Sequence, residues 1–277
     1  MIRFEYNGGL KVSIDENILK FLDNSEFPIR FVAYDNSNRV CHSGDMYANT
    51  FVSCFDVSYK TVEIISTKGV KIATWKWDAM IHGDACQQAF NLWSKRNKGL
   101  QGICVGAHNG TSGEWVGPVS DGMLKAILVE PSDTQLNQLR LRYERLPWVK
   151  IENSLITTNG GEVVFYESTF QNGQINSVSS DVISKCTSDY IEKRYESVSL
   201  RDLISKYNIS DKWWLHIDAE GIDDELIYSM DEKNLPSCLV FEYSHFDEYR
   251  IEKIKRWLDQ NSYRYITSNM NMMCIRD

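Results

Sequence analysis

Trp213-Trp-Leu-His-Ile-Asp-Ala-Glu-Gly221 is the stretch on which the reading of this chain turns. Its first five residues are mostly bulky and apolar, the pattern of a short strand buried on both faces. The run then meets two acids, Asp218 and Glu220, and a glycine, and helical spacing begins at Asp223. Ligands of open α/β sheets sit beyond the carboxyl ends of the strands, so acids at such an end face a pocket. The plainer alternative is that Asp218 only caps the turn that follows.

The same arrangement recurs on either side. Leu239-Val-Phe-Glu-Tyr-Ser-His245 is an apolar run with Glu242 and His245 at its exit. Upstream, Gly102-Ile-Cys-Val-Gly-Ala-His-Asn-Gly110 carries a strand into small residues, where glycine permits close backbone approach and left-handed conformations. A strand-ending turn with no ligand would look similar. The next strand, Ala126-Ile-Leu-Val129, ends in Glu130-Pro131, and in Rossmann-like sites an acid about twenty residues past the glycine turn accepts hydrogen bonds from ribose hydroxyls. Gly106-x-x-x-Gly110 is not GxGxxG, which disfavours a dinucleotide. Helical runs at 134–144, 199–207, 223–229 and 247–260 alternate with these strands, so the expected fold is α/β, a parallel sheet with helices on both faces.

The chain has 277 residues, which favours two domains over one. Residues 1–80 hold short β-branched and aromatic runs (3–6, 10–14, 29–34, 50–55, 61–66 and 70–77) and read as a small all-β, sandwich-like domain. Thr61 to Ile65 and Val70 to Trp77 alternate as a hairpin around Lys68-Gly69. Trp75 and Trp77 share one strand face, which suits core or interface packing better than carbohydrate binding. Residues 81–99 read as a linker helix with Ala89, Phe90 and Trp93 on one side, and residues 100–277 as the α/β domain. Residues 162–167 read as an extra strand. The Ser- and Asn-rich segment 170–190 reads as a flexible loop able to close over a substrate.

A net charge of −8 argues against a nucleic-acid partner, since phosphate contacts need a basic face. No stretch has the roughly 20 apolar residues a membrane helix needs, and the first residues contain no apolar signal core, so the expectation is a cytoplasmic protein without membrane insertion. The seven cysteines are scattered, which suggests reduced thiols rather than a disulfide framework or a CxxC metal site.

In their order these segments resemble the FkbM family of S-adenosylmethionine-dependent methyltransferases. The family's Asp-Ile-Gly-Ala-Asn-x-Gly is matched by Cys104-Val-Gly-Ala-His-Asn-Gly110, and its Val-x-x-Glu-Pro by Ile127-Leu-Val-Glu-Pro131. Its Thr-Leu-Asp-x-Leu-Leu is matched by Ser199-Leu-Arg-Asp-Leu-Ile204, and its Lys-Ile-Asp-Val-Glu-Gly by His216-Ile-Asp-Ala-Glu-Gly221. The resemblance spans residues 100–243 and implies a Rossmann-like class I methyltransferase sheet that binds S-adenosylmethionine. It further implies transfer of a methyl group to a hydroxyl, often on a sugar, so a small-molecule or glycan acceptor is the expected partner.

On that resemblance Gly106, Ala107, His108, Asn109 and Gly110 cradle the methionine and ribose side of the cofactor. Glu130 and Pro131 lie at the ribose, and Asn153 or Ser154 near the adenine. Asp218 and Glu220 line the transfer site. The candidates for the general base are His245, Asp218 and His216; His245 is favoured because it lies beyond a strand end and an imidazole titrates near neutrality. Oxygen and imidazole donors at Asp218, Glu220 and His245 would suit Mg or Mn, while the same acids would also serve as counter-charges to a sulfonium. The sequence departs from the family at Cys104, His108 and His216, which stand for Asp, Asn and Lys. Cysteine cannot supply a carboxylate's charge, so that charge must come from elsewhere or the chain is a scaffold that has lost activity. A nicotinamide oxidoreductase on the same fold is the third reading. An exposed edge on the β domain would invite homo-oligomerisation.

Overall fold

The computed structural model describes strand residues 2–6, 10–14, 29–34, 40–46, 52–54, 61–65 and 71–76, then residues 85–168, 176–209, 211–268 and 270–276. The chain divides into two units, Met1–Arg96 and Asn97–Asp277. The first contains β1 (Ile2–Tyr6), β2 (Leu10–Ile14), β3 (Ile29–Tyr34), β4 (Val40–Met46), β5 (Val52–Cys54), β6 (Thr61–Ile65) and β7 (Lys71–Lys76). They form two antiparallel sheets, ordered β1-β2-β5 and β4-β3-β6-β7, and the hairpin read from the alternation is present, with Val62 opposite Trp75. β4 escapes a reading by pattern because Cys41-His-Ser-Gly-Asp45 interrupts the apolar alternation. Trp77 and the side chain of Trp75 lie outside the described residues, as does the 68–69 turn. Helix α1 (Ala85–Arg96) is the last element grouped with this unit. Ala89, Phe90 and Trp93 are buried on it, the face its spacing selects.

The second unit begins with β8 (Gln101–Val105), α2 (Val116–Ser120), β9 (Lys125–Val129), α3 (Asp133–Tyr143) and β10 (Val149–Glu152). An insertion follows: β11 (Leu155–Thr157), β12 (Gly161–Ser168), β13 (Asn176–Ser177), α4 (Ser180–Cys186) and β14 (Tyr190–Ser199). The remainder is α5 (Leu200–Lys206), β15 (Trp214–Ile217), α6 (Asp223–Tyr228), β16 (Cys238–Glu242), α7 (Glu248–Gln260), β17 (Arg264–Thr267) and β18 (Asn271–Ile275). Seven strands form one sheet in the order β10-β9-β8-β15-β16-β18-β17. All pairs from β10 to β16 are parallel, and β18 runs antiparallel between β16 and β17. Counted along this unit, the order is 3-2-1-4-5-7-6 with the seventh strand reversed, the Rossmann-like methyltransferase sheet the motifs imply. β15 and β16 are buried along their whole length because both faces are covered, and so they read as continuous apolar runs.

Local chemistry sets the helix ends. The Ser199 hydroxyl accepts a hydrogen bond from the Asp202 N–H and donates to the Asp202 carboxylate, an N-cap at the start of α5. Asp247 caps α7 by accepting from the Arg250 N–H, and Ile254 and Leu258 anchor that helix in the core.

The segment expected as a loop at 170–190 is structured where it is described. β13 adds to a four-stranded sheet ordered β11-β14-β12-β13, and α4 follows it; residues 169–175 lie outside the described residues. One tie to the rest of the unit is Ser177, fully buried, whose hydroxyl donates to the Glu220 carbonyl at 2.7 Å and accepts from the Ser179 N–H. A hydrophobic period cannot register such a contact, because it joins a polar side chain to a backbone group 43 residues away. Among the described residues no helix is long and apolar enough to cross a membrane.

Candidate active site

The carboxyl ends of β8, β9 and β15 open on a cavity of about 390 Å³. Gly106, His108, Glu130, Pro131, Ser154, Asp218 and Glu220 all line it, while Leu155, Ile156, Phe165 and Ile222 form its apolar wall. The insertion contributes Asn176 and Val178. The first motif is threaded tightly into this edge. Gly106 and Ala107 donate to the Val129 carbonyl, and Asp218 N–H donates to the Val105 carbonyl. A Cβ on Gly106 would stand 1.9 Å from the Asp218 carbonyl oxygen, and its φ of +75° is costly for other residues. His108 and Glu220, both on the cavity wall, hold φ near +50° without being glycine.

Glu130 is 4 % exposed. Its Oε2 accepts from the His108 N–H at 2.8 Å and its Oε1 from the Ser132 N–H at 2.9 Å. A carboxylate offers about four acceptor sites, so one remains on each oxygen. Burial pushes its pKa up to about 7, against the lowering pull of these two backbone bonds.

Asp218 lines the cavity, and its Oδ1 is buried with no hydrogen-bond donor. Burial and then the charges of Glu220 and Glu242 raise its pKa well above the ordinary range. His245 Nε2 lies 3.2 Å from Glu220 Oε2 and 3.7 Å from Glu242 Oε2. The hydrogen bond to Glu220 raises the imidazole's pKa; burial raises that of Glu220 more than the imidazole lowers it. Asp223 is buried beneath the turn, accepts from the Ala219 and Gly221 N–H groups, and has a pKa pushed by burial to about 7.

Several residues expected at the ligand stand elsewhere. Ala107, Asn109, Gly110 and Asn153 are not cavity residues. Gly110 lacks a side chain to make room for the Tyr143 ring, which a Cβ would meet at 2.4 Å. Asn109 accepts from the Thr111 N–H and hydroxyl, and the Asn153 amide donates to the carbonyls of Glu130 and Pro131. His216 is turned away from the cavity. It is 4 % exposed, pairs through Nε2 with Glu114 Oε2 at 2.9 Å, and faces Cys104 across the strand pair with Sγ 3.9 Å from Nδ1. Asn271 donates to Glu114 Oε1 at 2.8 Å.

This network bears on the carboxylate expected from the resemblance. Cys104 and His216 stand opposite one another at the positions matched to the Asp and Lys of the FkbM pattern, so no acid comes from either strand. The acid partner comes instead from Glu114, in the loop after the first motif. Burial opposes its ionisation, but the hydrogen bonds from His216 and Asn271 prevail and hold its carboxyl below the usual range. The Cys104 thiol is pushed up by burial and by the charges of Asp218, Glu130 and Glu114, so it stays protonated. Glu114 has no signal in the sequence reading because it lies in a loop whose partners are 102 and 157 residues away.

The donor set expected for a metal also changes. Among the described residues the side chains that converge are Glu220, Glu242 and His245, with ligand atoms within 4.8 Å of one another. Asp218 belongs to the neighbouring cavity wall and not to that trio.

No protein-family model and no curated protein matches the chain. Solved structures similar to it include the ribosomal protein L11 methylase of Lactobacillus delbrueckii subsp. bulgaricus, at 12 % identity over 69 % of this chain and 78 % of that one, with a TM-score of 0.33. Precorrin-6y C5,15-methyltransferase of Geobacter metallireducens GS-15 aligns at 10 % identity over 68 % and 86 %, TM-score 0.37. The Methanococcus jannaschii fibrillarin pre-rRNA processing protein aligns at 10 % identity over 78 % and 94 %, TM-score 0.39. The strand order, rather than any of these likenesses, identifies the fold.

Proposed function

We propose that the chain is an S-adenosylmethionine-dependent methyltransferase of FkbM type, which methylates a hydroxyl of a sugar, glycan or related small metabolite. The observation that carries this reading is Glu130: a buried acid at the end of the second strand of the sheet, lining the cavity with one acceptor site left on each oxygen. Two acceptors side by side match the two adjacent hydroxyls of a ribose. Gly106 and the His108 backbone would lie along the methionine and ribose, Leu155, Ile156 and Phe165 along the adenine, and Ser154 at its polar edge. Ala107, Gly110 and Asn153 act behind them, by shaping the turn. When bound there, S-adenosylmethionine supplies a methyl group activated by its sulfonium, so that alignment of the acceptor accounts for much of the rate.

Asp218 and Glu220 line the acceptor end of the cavity. Glu220 faces the cavity with His245 behind it, so in this reading Glu220 takes the hydroxyl proton and His245 holds its carboxylate in place. His216 is assigned no proton transfer, because its ring nitrogens face Glu114 and Cys104. The departures at Cys104 and His216 fall outside the cavity, which favours an active enzyme over a degenerate scaffold.

Calorimetric titration of the purified chain with S-adenosylhomocysteine tests the cofactor site. Saturable binding weakened by Glu130→Ala and by Asp218→Ala is expected. Absence of binding to the folded wild type would refute the reading. Nucleotide-sugars and glycans, assayed by release of S-adenosylhomocysteine, then test the acceptor class.

A further inference from the structure

The group made by Glu220, Glu242 and His245 is a second feature of the same edge. Its three ligand atoms lie within 4.8 Å of one another. Donors that each stand about 2.1–2.2 Å from one divalent ion are separated by no more than roughly twice that distance, so a small relaxation brings all three to a common centre. The trio sits at the exits of β15 and β16, with Glu220 on the cavity wall and His245 on the solvent side.

One buried oxygen next to the trio lacks a donor. Asp218 Oδ1 is buried and receives no hydrogen bond. Glu242 has a side chain 8 % exposed; its Oε1 accepts from the Ser244 hydroxyl, its carboxyl stands against that of Asp218, and His245 Nε2 lies 3.7 Å from its Oε2. Three carboxyl groups, those of Asp218, Glu220 and Glu242, thus share one imidazole. Arg250, on the first turn of α7, is committed to the Asp224 carboxylate and the Gly221 carbonyl. A buried oxygen without a donor beside clustered carboxylates calls for a positive charge.

We propose that Glu220, Glu242 and His245 form a divalent-cation site, with Asp218 as the outer carboxylate on its cavity side, and that the cation fixes the acceptor hydroxyl of the methyl-transfer reaction. Two carboxylate oxygens and one imidazole suit Mn2+ or Mg2+, and three protein ligands leave positions for water and for an acceptor oxygen. A hydroxyl held there would be acidified by the ion, and the second oxygen of Glu220 would take its proton. The acceptor role rests on the methyltransferase reading; the cation site itself does not.

The test is binding of Mn2+ alone to chelator-stripped protein, followed by the electron paramagnetic resonance of the free ion. Wild type is expected to bind one Mn2+ per chain. His245→Ala, a change at a partly exposed side chain, and Glu242→Gln should each weaken binding by tenfold or more, while Glu248→Gln on the nearby helix surface should leave it unchanged. Lack of saturable Mn2+ binding in folded wild type, or equal binding by His245→Ala, overturns the site. Titration of the same samples with S-adenosylhomocysteine separates the two ideas: binding of the nucleoside without Mn2+ binding overturns the cation site alone, and Mn2+ binding without the nucleoside overturns the methyltransferase reading and with it the acceptor role.

Discussion

Acidification from pH 8 to pH 5 should weaken S-adenosylhomocysteine binding through Glu130, and the size of the effect follows from the geometry. Each Glu130 oxygen already accepts one backbone N–H, so a ribose pair needs both remaining acceptor sites, and a proton on either oxygen removes one. With the free-protein pKa raised by burial to about 7, each pH unit below that value makes binding roughly tenfold weaker, or about 1.4 kcal/mol. At pH 5 the loss is therefore about 100-fold. The sign for stability is opposite. An acid whose folded pKa lies above its unfolded value binds the proton more tightly in the folded state, so the unliganded protein gains stability from this group as pH falls from about 7 to 4.5. The gain is on the order of 3 kcal/mol and flat below that window. Asp218, Glu220 and Asp223 are also shifted upward, so the measurement that isolates Glu130 is the calorimetric affinity of wild type minus that of Glu130→Gln across the range. Glu130→Gln should bind more weakly at pH 8 and lose this part of the slope. A wild-type affinity constant from pH 8 to pH 5, or an identical slope in Glu130→Gln, would refute the argument.

Gly106→Ala forces a Cβ to within 1.9 Å of the Asp218 carbonyl at a left-handed φ, so thermal melts should show a loss of at least about 2 kcal/mol, together with loss of nucleoside binding. Glu114→Gln removes the acid partner of His216 inside the core and should cost about 3 kcal/mol in urea unfolding, while the cavity affinity changes little because Glu114 does not line it. Cys104→Asp, which places the FkbM pattern's residue there, should destabilise more than Cys104→Ala in the same assay, since His216 already pairs with Glu114 and a second buried acid would have to share that one imidazole. Ser177→Ala deletes the bond that ties the insertion to the Glu220 carbonyl; about 1 kcal/mol of stability is expected to go, with a rise in KM for the acceptor larger than any fall in kcat.

What the sequence determined was the frame. β8, β9, β15 and β16 are covered on both faces, and that burial writes itself into the chain as apolar runs ending in acids or glycine, so Asp218, Glu130 and Gly106 were legible at the strand exits. β18 was not: Asn271-Met-Met-Cys-Ile275 carries little β-branching, and its place between β16 and β17 is a pairing decision made across the sheet. Which residues of a legible motif face the ligand was likewise left open, and the structure divides Gly106 and His108 on the cavity from Gly110 against Tyr143. The groupings that carry the chemistry are tertiary throughout. Glu114 reaches His216 and Asn271, Ser177 reaches Glu220, and Glu242 joins Glu220 and His245 across two neighbouring strands. Periodicity records only which face of an element is buried, whereas a hydrogen bond between polar groups a hundred residues apart depends on sheet register and loop path, and these are fixed only when the whole unit packs.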